Sequence, residues 1–312
     1  MTEHYVTLFD SGFLANGVAM HTSFMRHAGD FHLWILAMDA RAHEVLAHLN
    51  LPNVTSIPLS EAESSRLLEV KPGRTMGEYC WTLTPFTPSL VFEREPTAAR
   101  ATYVDADMWL TASPAPIFLE LDKSGAGTLI TDHAYAERYR SAEKWGIYCV
   151  QFMPFVRGTG DDVLHWWQDR VIEWCYAREE DGKFGDQKYL DDWPSRFGGA
   201  VHVLQEPWLT QAPWNALRFA AERAAMFHFH RLRIAGPTTA TVGLYELPKE
   251  HQKLLYRPYL QDLRGALHAL ERVGFSAPIQ SALPAGWAGV KDRLAFRMLN
   301  WRSPLTPYSL EF

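Results

Sequence analysis

The sequence predicts an α/β protein in which helices flank a mixed, mainly parallel sheet. The strand YVTLF at 5–9 is followed by helical spacing and then by the continuous apolar run FHLWILAM at 31–38. An uninterrupted apolar run of this kind is typical of a strand that is covered on both faces. A helical pattern over 40–50 and a strand over 54–59 continue the alternation. Strands that alternate with helices favour parallel pairing, because a crossover helix returns the chain to the same end of the sheet.

The rest of the chain continues this alternation with longer helices. One helix is predicted over 77–92, which Pro85 and Pro88 kink or divide. The segment 184–194 is predicted as a short helix or loop that Pro194 stops. The other predicted elements are strands at 101–110, 127–131, 146–153, 200–204 and 226–232, a helix from 161 to about 179, and helical pattern from Pro248 onward.

Composition, charge and cysteine content are those of an ordinary globular protein. Of its 312 residues 47% are hydrophobic and 21% are charged, and the formal net charge is −6. The chain has no long basic run, which argues against a nucleic-acid partner. Three cysteines, an odd and sparse set, suit reduced thiols in the cytoplasm better than a disulfide framework. No signal-peptide pattern is visible, and no apolar run approaches the roughly 20 residues of a spanning helix.

The alternation predicts one domain over residues 1–260 and a helical C-terminal extension over 261–312. Packing of this extension on the domain is the favoured interpretation. The alternative is peripheral contact with the anionic inner face of a membrane, since cations there are interleaved with apolar side chains. The cations are Lys291, Arg293, Arg297 and Arg302, and the apolar residues are Leu294, Phe296, Leu299 and Trp301.

Two aspartates, Asp105 and Asp107, lie in the predicted strand over 101–110, which ends in acids. Residues two apart in a strand point to the same side, so both carboxylates can reach one ion. The C-terminal end of a strand is where open α/β sheets bind ligands. A hard divalent cation, Mg²⁺ or Mn²⁺, accepts such oxygens and keeps coordination sites for a diphosphate. The alternative is an acidic turn without a metal, which an isolated Asp-x-Asp favours.

Two histidines, His228 and His230, alternate with Phe227 and Phe229. In a strand both imidazoles would share one face and both phenyl rings the other. An imidazole added to carboxylates favours Mn²⁺ among the hard ions. The alternative is a half-buried strand with two hydrogen-bonded histidines, and the presence of an Asp-x-Asp strand in the same chain weakens that alternative.

Two further groups are candidates for substrate binding. Asp186 and Gln187 stand at a predicted helix start, where they can hold sugar hydroxyls or act as base or nucleophile; otherwise Asp186 simply caps the helix. Lys71 and Arg74 supply cationic donors for phosphate oxygens, with a solvated loop as the equal alternative.

Taken in chain order, these segments resemble a known family. The motifs are TLFDSGF, EYCWTLTPFTPSLVF, TYVDADMWLTASPAPIF, EKWGIYCVQFM, WWQDRVIEWCYAREEDGKFGDQKYLDDWP and FHFHRLRI. Their succession resembles the bacterial nucleotide-sugar glycosyltransferases with the GT-A fold, in particular the group related to glycosyltransferase family 8. The resemblance covers residues 5–260. It implies a GT-A type, Rossmann-like mixed sheet, mainly parallel and flanked by helices.

The resemblance also implies roles for single residues. Asp105 and Asp107 would hold the metal that bridges the donor diphosphate, with a histidine as third ligand, His228 preferred and His230 close behind. The other implied roles are the base and ribose pocket for Asp10 and Ser11, the donor phosphates for Lys71 and Arg74, and the transferred sugar and its anomeric carbon for Asp186 and Gln187.

The sequence departs from the family in two places. Relatives often carry an Asn-x-Gly stretch where this chain has Tyr148-Cys149-Val150-Gln151, a segment that commonly lines the sugar or acceptor site. The His-x-x-Gly-x-x-Lys-Pro-Trp ending of family 8 is missing as well. Arg231 and Arg233 are available cations, but their equivalence to that lysine is open.

The resemblance therefore predicts an enzyme of glycan biosynthesis that uses Mn²⁺ or Mg²⁺. It would move a hexose-type sugar from a nucleotide diphosphate donor, UDP by resemblance alone, to a glycan, lipid-linked or small-molecule acceptor. Family-8 likeness suggests retention of anomeric configuration, which the residues themselves leave open.

Two other functions compete with this prediction. A sugar-1-phosphate nucleotidyltransferase needs a glycine- and arginine-rich loop after the first strand, and DSGFLANG contains neither Arg nor Lys. A non-catalytic nucleotide-sugar or glycan-binding protein of the same fold would keep the site but not the chemistry.

Overall fold

A computed structural model describes residues 2–236, 239–242 and 245–280, together with the backbone of the short strand at 309–311. The strands are β1 Glu3–Phe9, β2 Phe31–Ala37, β3 Val54–Pro58, β4 Arg100–Val104, β5 Met108–Leu110, β6 Thr128–Asp132, β7 Tyr148–Cys149, β8 Phe152–Val156, β9 Val201–Val203, β10 Thr210–Gln211, β11 Met226–His228, β12 Leu232–Gly236, β13 Thr239–Val242 and β14 Ser309–Glu311. The helices are α1 Leu14–His27, α2 Ala40–Leu49, α3 Ser65–Val70, α4 Met76–Leu83, α5 Thr87–Arg94, α6 Ala115–Ser124, α7 Asp161–Glu173, α8 Trp193–Phe197, α9 Lys249–His251 and α10 Arg257–Arg272.

The main sheet has the strand order β3-β2-β1-β4-β8-β6-β7, and β9 pairs with β6. The first four strands in this order are parallel to one another, whereas β8 runs antiparallel to both β4 and β6. The predicted α/β class with a mixed, mainly parallel sheet is therefore confirmed. Two small sheets complete the fold, in the orders β10-β11-β5 and β12-β13-β14.

Helices cover both faces of the main sheet because its strands are apolar on both sides. Along β1, Tyr5 and Phe9 pack on one face with α1, and Val6 and Leu8 pack on the other. This alternation follows from the two-residue period of a strand. The second face is covered by α3, α4, α5 and α7, which bring Leu67, Leu83, Val91 and Trp167 into the core.

The segment predicted as one strand over 101–110 forms two strands in two different sheets. β4 lies in the main sheet and β5 in the small sheet with β11, and the Asp-Ala-Asp sequence makes the turn between them. The backbone N–H of Met108 donates to the carbonyl of Asp105 (3.1 Å), which closes the turn. The prediction of a continuous strand was wrong because apolar residues on both sides of the turn hid the change of direction.

Several other boundaries differ from the prediction for reasons of proline and glycine chemistry. The 77–92 helix is divided into α4 and α5 by a 3₁₀ turn at Thr84–Phe86 that contains Pro85. Pro194 does not stop a helix but lies in the first turn of α8, where a missing N–H costs nothing. The strand predicted at 146–153 is interrupted between β7 and β8, and α7 ends at Glu173 because Trp174 is extended.

The C-terminal part of the described chain is helical from Lys249. A π-helical turn at Gln252–Tyr256 joins α9 to α10 without a break. The apolar side of α10, including Leu260 and Leu263, is buried in the same core as α1. This helix crosses residue 260, the boundary that the sequence predicted between domain and extension. The cationic and apolar tail residues from Lys291 to Arg302 lie outside the described residues.

Candidate active site

Three aspartates stand within two residues of the ends of three adjacent parallel strands. Asp10 follows β1, Asp39 comes two residues after the end of β2, and Asp105 follows β4. The strand order β2-β1-β4 places the ends of these strands side by side. The carboxyl ends of parallel strands are the ligand-binding edge of an open α/β sheet. The candidate site is therefore built on this edge.

The β4–β5 turn brings Asp105 and Asp107 together. The main-chain N–H of Asp105 donates to the carbonyl of Gln151 (3.1 Å), and its carboxylate accepts from the hydroxyl of Tyr103 (2.8 Å). The Asp107 carbonyl accepts from the main-chain N–H of Phe229 (2.9 Å). The turn is thus held from both the main and the small sheet. A turn, and not the shared face of a strand, is what places the two carboxylates near each other.

His228 approaches this turn from β11. In the antiparallel β5–β11 pair it lies opposite Met108, the residue after Asp107. Its Nε2 is 3.0 Å from Oδ1 of Asp107 and 3.7 Å from Oδ2 of Asp105. In the part of the chain that the structure describes, these three residues form the group whose ligand atoms all lie within 4.8 Å of one another.

This acid–histidine cluster (Asp105, Asp107 and His228) fits a divalent cation. Two carboxylates and one imidazole match the donor preference of Mn²⁺, and Mg²⁺ accepts the same oxygens. Three protein ligands would leave further coordination positions to a diphosphate or to water. The cluster is a possible metal site, and its donors do not by themselves select between these ions.

The ionisation of the cluster is set by burial and by the contact between Asp107 and His228. Burial would raise the pKa of Asp107, but the nearby His228 outweighs this and lowers it to about 2. Burial would lower the pKa of His228, and the Asp107 carboxylate instead raises it well above its usual value. Burial and the charge of Asp107 together raise the pKa of Asp105, against the opposing effect of His228. When no metal is bound, the protonated ring of His228 therefore supplies the positive charge beside the two aspartates.

His230 is near the cluster but has different contacts. Its Nδ1 lies 3.1 Å from the hydroxyl of Tyr245, and its ring, like that of His228, packs edge-on against Trp214. Burial lowers the pKa of His230 to about 3, with the charge of His228 acting in the same direction. As the sequence predicted for a strand, Phe227 and Phe229 face the core. The geometry thus groups His228, and not His230, with the two aspartates.

Asp186 is a buried carboxylate, 5% exposed, at the start of a 3₁₀ helix that runs from Gln187 to Asp192. Its side chain makes no capping hydrogen bond, so the structural role that the sequence allowed is not the one it has. Burial and the charge of Asp105 raise the pKa of Asp186 well above its ordinary value. Its carbonyl accepts from Nε1 of Trp167 (2.9 Å), which fixes the backbone. A buried carboxylate held beside the cluster is suited to act on a bound substrate.

Gln187 supports the neighbouring loop. Its Nε2 donates to the carbonyl of Trp145 (3.1 Å), and its side chain packs against Gly146. Gly146 has a φ of 146°, a conformation that favours glycine, so the loop turns sharply at this contact.

The loop after β1 is fixed by Asp39, a residue that the sequence analysis missed. Both the main-chain N–H and the hydroxyl of Ser11 donate to Oδ2 of Asp39 (2.9 Å each), while Oδ1 of Asp39 caps α2 through Ala42. Asp10 accepts from the main-chain N–H of Gly12 (2.9 Å). The signal for Asp39 was available, because an Asp after an apolar strand and before a helical pattern is a typical N-cap.

The two cations predicted for the donor phosphates are engaged with protein groups. Lys71 pairs with Glu63 (2.5 Å), and Arg74 donates to the hydroxyl of Thr82 and to the carbonyl of Ile172. Burial lowers the pKa of Arg233, against the raising effect of the Asp107 charge. The Arg233 guanidinium lies 5.6 Å from the centroid of the Phe13 ring, so this cation borders the loop after β1.

Comparison with known proteins supplies the relatives of this chain. No protein-family model matches it. The uncharacterized protein YfnD of Bacillus subtilis (strain 168) is 28% identical over 284 residues, which span 84% of this chain and 89% of YfnD. The uncharacterized protein YfnF of the same organism is 31% identical over 221 residues, 69% of this chain and 73% of YfnF. The chain belongs to the YfnF family.

Solved structures show which fold this YfnF-family protein has. The galactosyltransferase LgtC, in complex with donor and acceptor sugar analogs, matches with a TM-score of 0.50 at 12% identity, over 84% of this chain and 95% of that one. The bifunctional glycosyltransferase WbbM also gives 0.50, at 13% identity, over 89% of this chain and 52% of that one. Apo GlyE of Streptococcus pneumoniae TIGR4 gives 0.50 at 13% identity, over 90% of this chain and 66% of that one. The predicted resemblance to GT-A glycosyltransferases is confirmed at the level of the fold.

The length and hydropathy of its helices bear on whether this YfnF-family protein could span a membrane. Among the described residues, no helix is long and apolar enough to cross a bilayer.

The three cysteines all lie in the described part of the chain, and each is a free thiol, as the sequence suggested.

Proposed function

We propose that this YfnF-family protein is a metal-dependent glycosyltransferase that moves a hexose-type sugar from a nucleotide diphosphate donor to an acceptor. The observation that carries the proposal is the acid–histidine cluster at the carboxyl edge of a GT-A sheet, with the buried Asp186 beside it. A cation that binds phosphate and a carboxylate that faces the substrate both suit sugar transfer, and the acid–histidine cluster and Asp186 offer a place for each.

Asp105, Asp107 and His228 would hold Mn²⁺ or Mg²⁺, which when bound neutralises charge on the departing diphosphate. Arg233 would add a second positive charge on the side of the Asp10–Phe13 loop, where the nucleoside is proposed to bind. UDP is proposed as the carrier. Asp39 would act on the nucleoside indirectly, because it holds Ser11 in place.

Asp186 is proposed to act at the sugar. Its carboxyl group would position the sugar hydroxyls or, where ionised, stabilise positive charge that develops at the anomeric carbon, and its burial keeps water away. The family-8 likeness supports retention, and NMR of the product's anomeric linkage tests that choice. Inversion would require a carboxylate that deprotonates the acceptor hydroxyl instead.

A thermal-shift screen tests this function. UDP-hexoses are added with and without Mn²⁺ to the wild type, to Asp107→Asn and to the surface control Asp169→Asn. A donor at 100 times its Kd stabilises by about 2.7 kcal/mol, roughly 4 °C for a chain of this size. The shift is expected to require Mn²⁺ and to vanish in Asp107→Asn alone. Equal shifts in all three proteins, or none with any UDP-hexose, would contradict the proposal.

The same proteins distinguish an enzyme from a non-catalytic binding protein. An enzyme is expected to hydrolyse its donor slowly in the presence of Mn²⁺, and Asp107→Asn to abolish this release of UDP. Metal-dependent binding without any release of UDP, with or without acceptors, would favour the binding protein.

A further inference from the structure

Gln151 connects two parts of the acid–histidine cluster. It lies immediately before β8 and is fully buried. Its main-chain carbonyl accepts from the N–H of Asp105 (3.1 Å), which anchors the Asp-Ala-Asp turn. Its side-chain Oε1 lies 3.0 Å from Nδ1 of His228. One residue thus touches the backbone of one candidate ligand and the ring of another.

The contact with Nδ1 bears on what Nε2 of His228 can do. A histidine binds a metal as the neutral imidazole, after the imidazolium of the metal-free protein has lost one proton. That neutral ring carries one N–H, so the nitrogen that donates determines which nitrogen keeps a lone pair. If Nδ1–H donates to Oε1 of Gln151, the lone pair of Nε2 points toward Asp105 and Asp107, where a cation would lie. The opposite tautomer would place a proton on Nε2, which would then donate to Asp107 across 3.0 Å and exclude a metal.

We propose that Gln151 is a positioning residue whose side-chain carbonyl selects the His228 tautomer that can bind a divalent cation. The inference rests on the metal site of the proposed function. The proposal also gives a role to the Tyr148–Gln151 stretch, where this sequence departs from the Asn-x-Gly pattern of the family it resembles. Gln151 is the last residue of that stretch.

A glutamine at this position has one cost and one gain. Among the described residues, Nε2 of Gln151 has no hydrogen-bond partner although it is buried, which is unfavourable. An apolar side chain of similar volume would avoid that cost but would leave Nδ1 of the buried His228 without its acceptor. A glutamate would also accept from Nδ1, but it would add a third negative charge beside the two half-buried aspartates. The glutamine carbonyl orients the ring without that charge.

The test measures the affinity for Mn²⁺ alone, by electron paramagnetic resonance titration without donor. Gln151→Leu removes the acceptor and is expected to weaken Mn²⁺ binding about 10–100-fold, as is typical of lost outer-shell partners of a ligating histidine. Gln151→Glu restores an acceptor and is expected to bind within a few-fold of the wild type. Gln151→Asn, one methylene shorter, provides a second loss of the contact if the leucine variant fails to fold.

Gln211→Leu is the matched control. Oε1 of Gln211 lies 3.0 Å from Nε2 of His251, which is another buried glutamine–histidine contact. This contact lies on the other face of β11 from His228, because Gln211 is paired with Phe227 in the sheet. This variant is expected to lose stability but to bind Mn²⁺ as the wild type does, so that general destabilisation is separated from loss of the tautomer.

A ¹⁵N NMR spectrum of the histidines in the Mg²⁺-loaded protein reports the tautomer directly. His228 is expected to be protonated at Nδ1 in the wild type and in Gln151→Glu. Wild-type Mn²⁺ affinity in both Gln151→Leu and Gln151→Asn would overturn the role of Gln151 and leave the metal site intact. Failure of the wild type itself to bind Mn²⁺ would overturn the metal site, and both proposals with it.

Discussion

Asp186 is proposed to serve function at a cost in folding stability. It is buried beside another acid, Asp105, and its pKa is raised well above the ordinary value by burial first and by that charge second. A carboxyl group with a raised folded-state pKa favours folding only while it stays protonated. As the pH rises above the value for an unfolded aspartate, the folded state must keep a proton or bury a charge, and stability is lost.

Asp186→Asn is therefore expected to stabilise the metal-free protein at pH 7 while it removes activity. The amide has the same shape without the buried charge, so the melting temperature should rise by a few degrees, and the gain should shrink toward pH 4. Donor binding should persist, with turnover lowered at least 100-fold. Differential scanning fluorimetry, calorimetric titration of the donor and a UDP-release assay measure the three quantities.

Asp191→Asn is the control for this prediction. Asp191 accepts from the main-chain N–H of Ile147 and pairs with Lys188, so its carboxylate has a structural role in the next turn. Its replacement is expected to lower the melting temperature. An Asp186→Asn protein with full turnover would contradict the proposed role at the sugar.

At the scale of elements, the contact between β1 and α1 determines where the site loop begins. Gly17 in α1 packs on the ring of Phe9, the last residue of β1, and a Cβ at Gly17 would lie 2.5 Å from Cζ of that ring. Phe9 is buried and immediately precedes Asp10. The close approach of helix and strand therefore requires a residue without a side chain at position 17.

Gly17→Ala is expected to destabilise the protein by about 1–3 kcal/mol, because the Phe9 ring must move in a packed core. The matched variant is Gly265→Ala in α10, where a Cβ would meet no atom of the described residues within 4 Å. This second change should stabilise by up to about 1 kcal/mol, the helix-propensity difference. Urea unfolding of both variants checks the signs, and a stabilised Gly17→Ala protein would refute the packing argument.

His251 in α9 makes the C-terminal helical segment sensitive to acid. It is buried, its Nδ1 has no partner among the described residues, and burial lowers its pKa to about 4. The unfolded chain binds a proton near pH 6.5, whereas the folded chain does so only near pH 4. Stability due to this residue is thus full above pH 6.5 and is lost as the pH falls toward 4.

His251→Gln is expected to reduce the loss of stability between pH 7 and pH 5 by about 2 kcal/mol. Urea unfolding at the two pH values measures the difference for wild type and variant. His165→Gln on α7 is the control, because that side chain is exposed in the folded protein. An identical acid dependence in wild type and His251→Gln would show that another group controls it.

At the scale of the whole molecule, α10 ties the two ends of the described chain together. Tyr259 accepts from Nδ2 of Asn16 in α1 (3.0 Å) and stacks on Phe229, with 3.7 Å between ring centroids. Asp262 accepts from Nε1 of Trp109 in β5 (2.7 Å) and pairs with Arg26. Helix α10 thus contacts both strands that carry the acid–histidine cluster and the helix that follows β1.

A chain that ends at residue 248 is consequently expected to misfold. It would expose the face of α1 that Leu260 and Leu263 now cover, and it would lose the contacts to Trp109 and Phe229. Limited proteolysis and dye binding to exposed apolar surface, compared with the full chain, check this outcome. The point variant Leu263→Ala should lower stability by about 2–5 kcal/mol. A truncated protein with cooperative, near-normal unfolding would show that the helix is a separable extension.

Several parts of this architecture follow from local sequence. The apolar strands, the helices between them and the position of Asp105 after a buried strand are properties of short segments, because side-chain periodicity and strand-end chemistry act within a few residues. Asp105, Asp107 and His228 could be nominated from their types and neighbours. Asp186 could also be predicted as a site residue. The sequence could not show that its side chain does not cap the following helix, since that depends on the geometry of one turn.

Tertiary structure alone decided how these residues meet. The sequence determined an alternating α/β chain with acids at strand ends and an imidazole pair far along the chain. It did not determine that β4 and β5 lie in different sheets, or that His228 and not His230 lies beside the two aspartates. It also did not determine the hydrogen bond from Arg74 to Thr82 or the contact of Gln151 with the His228 ring. These depend on pairing between residues up to more than a hundred positions apart, and neither periodicity nor residue type encodes which long-range contact forms.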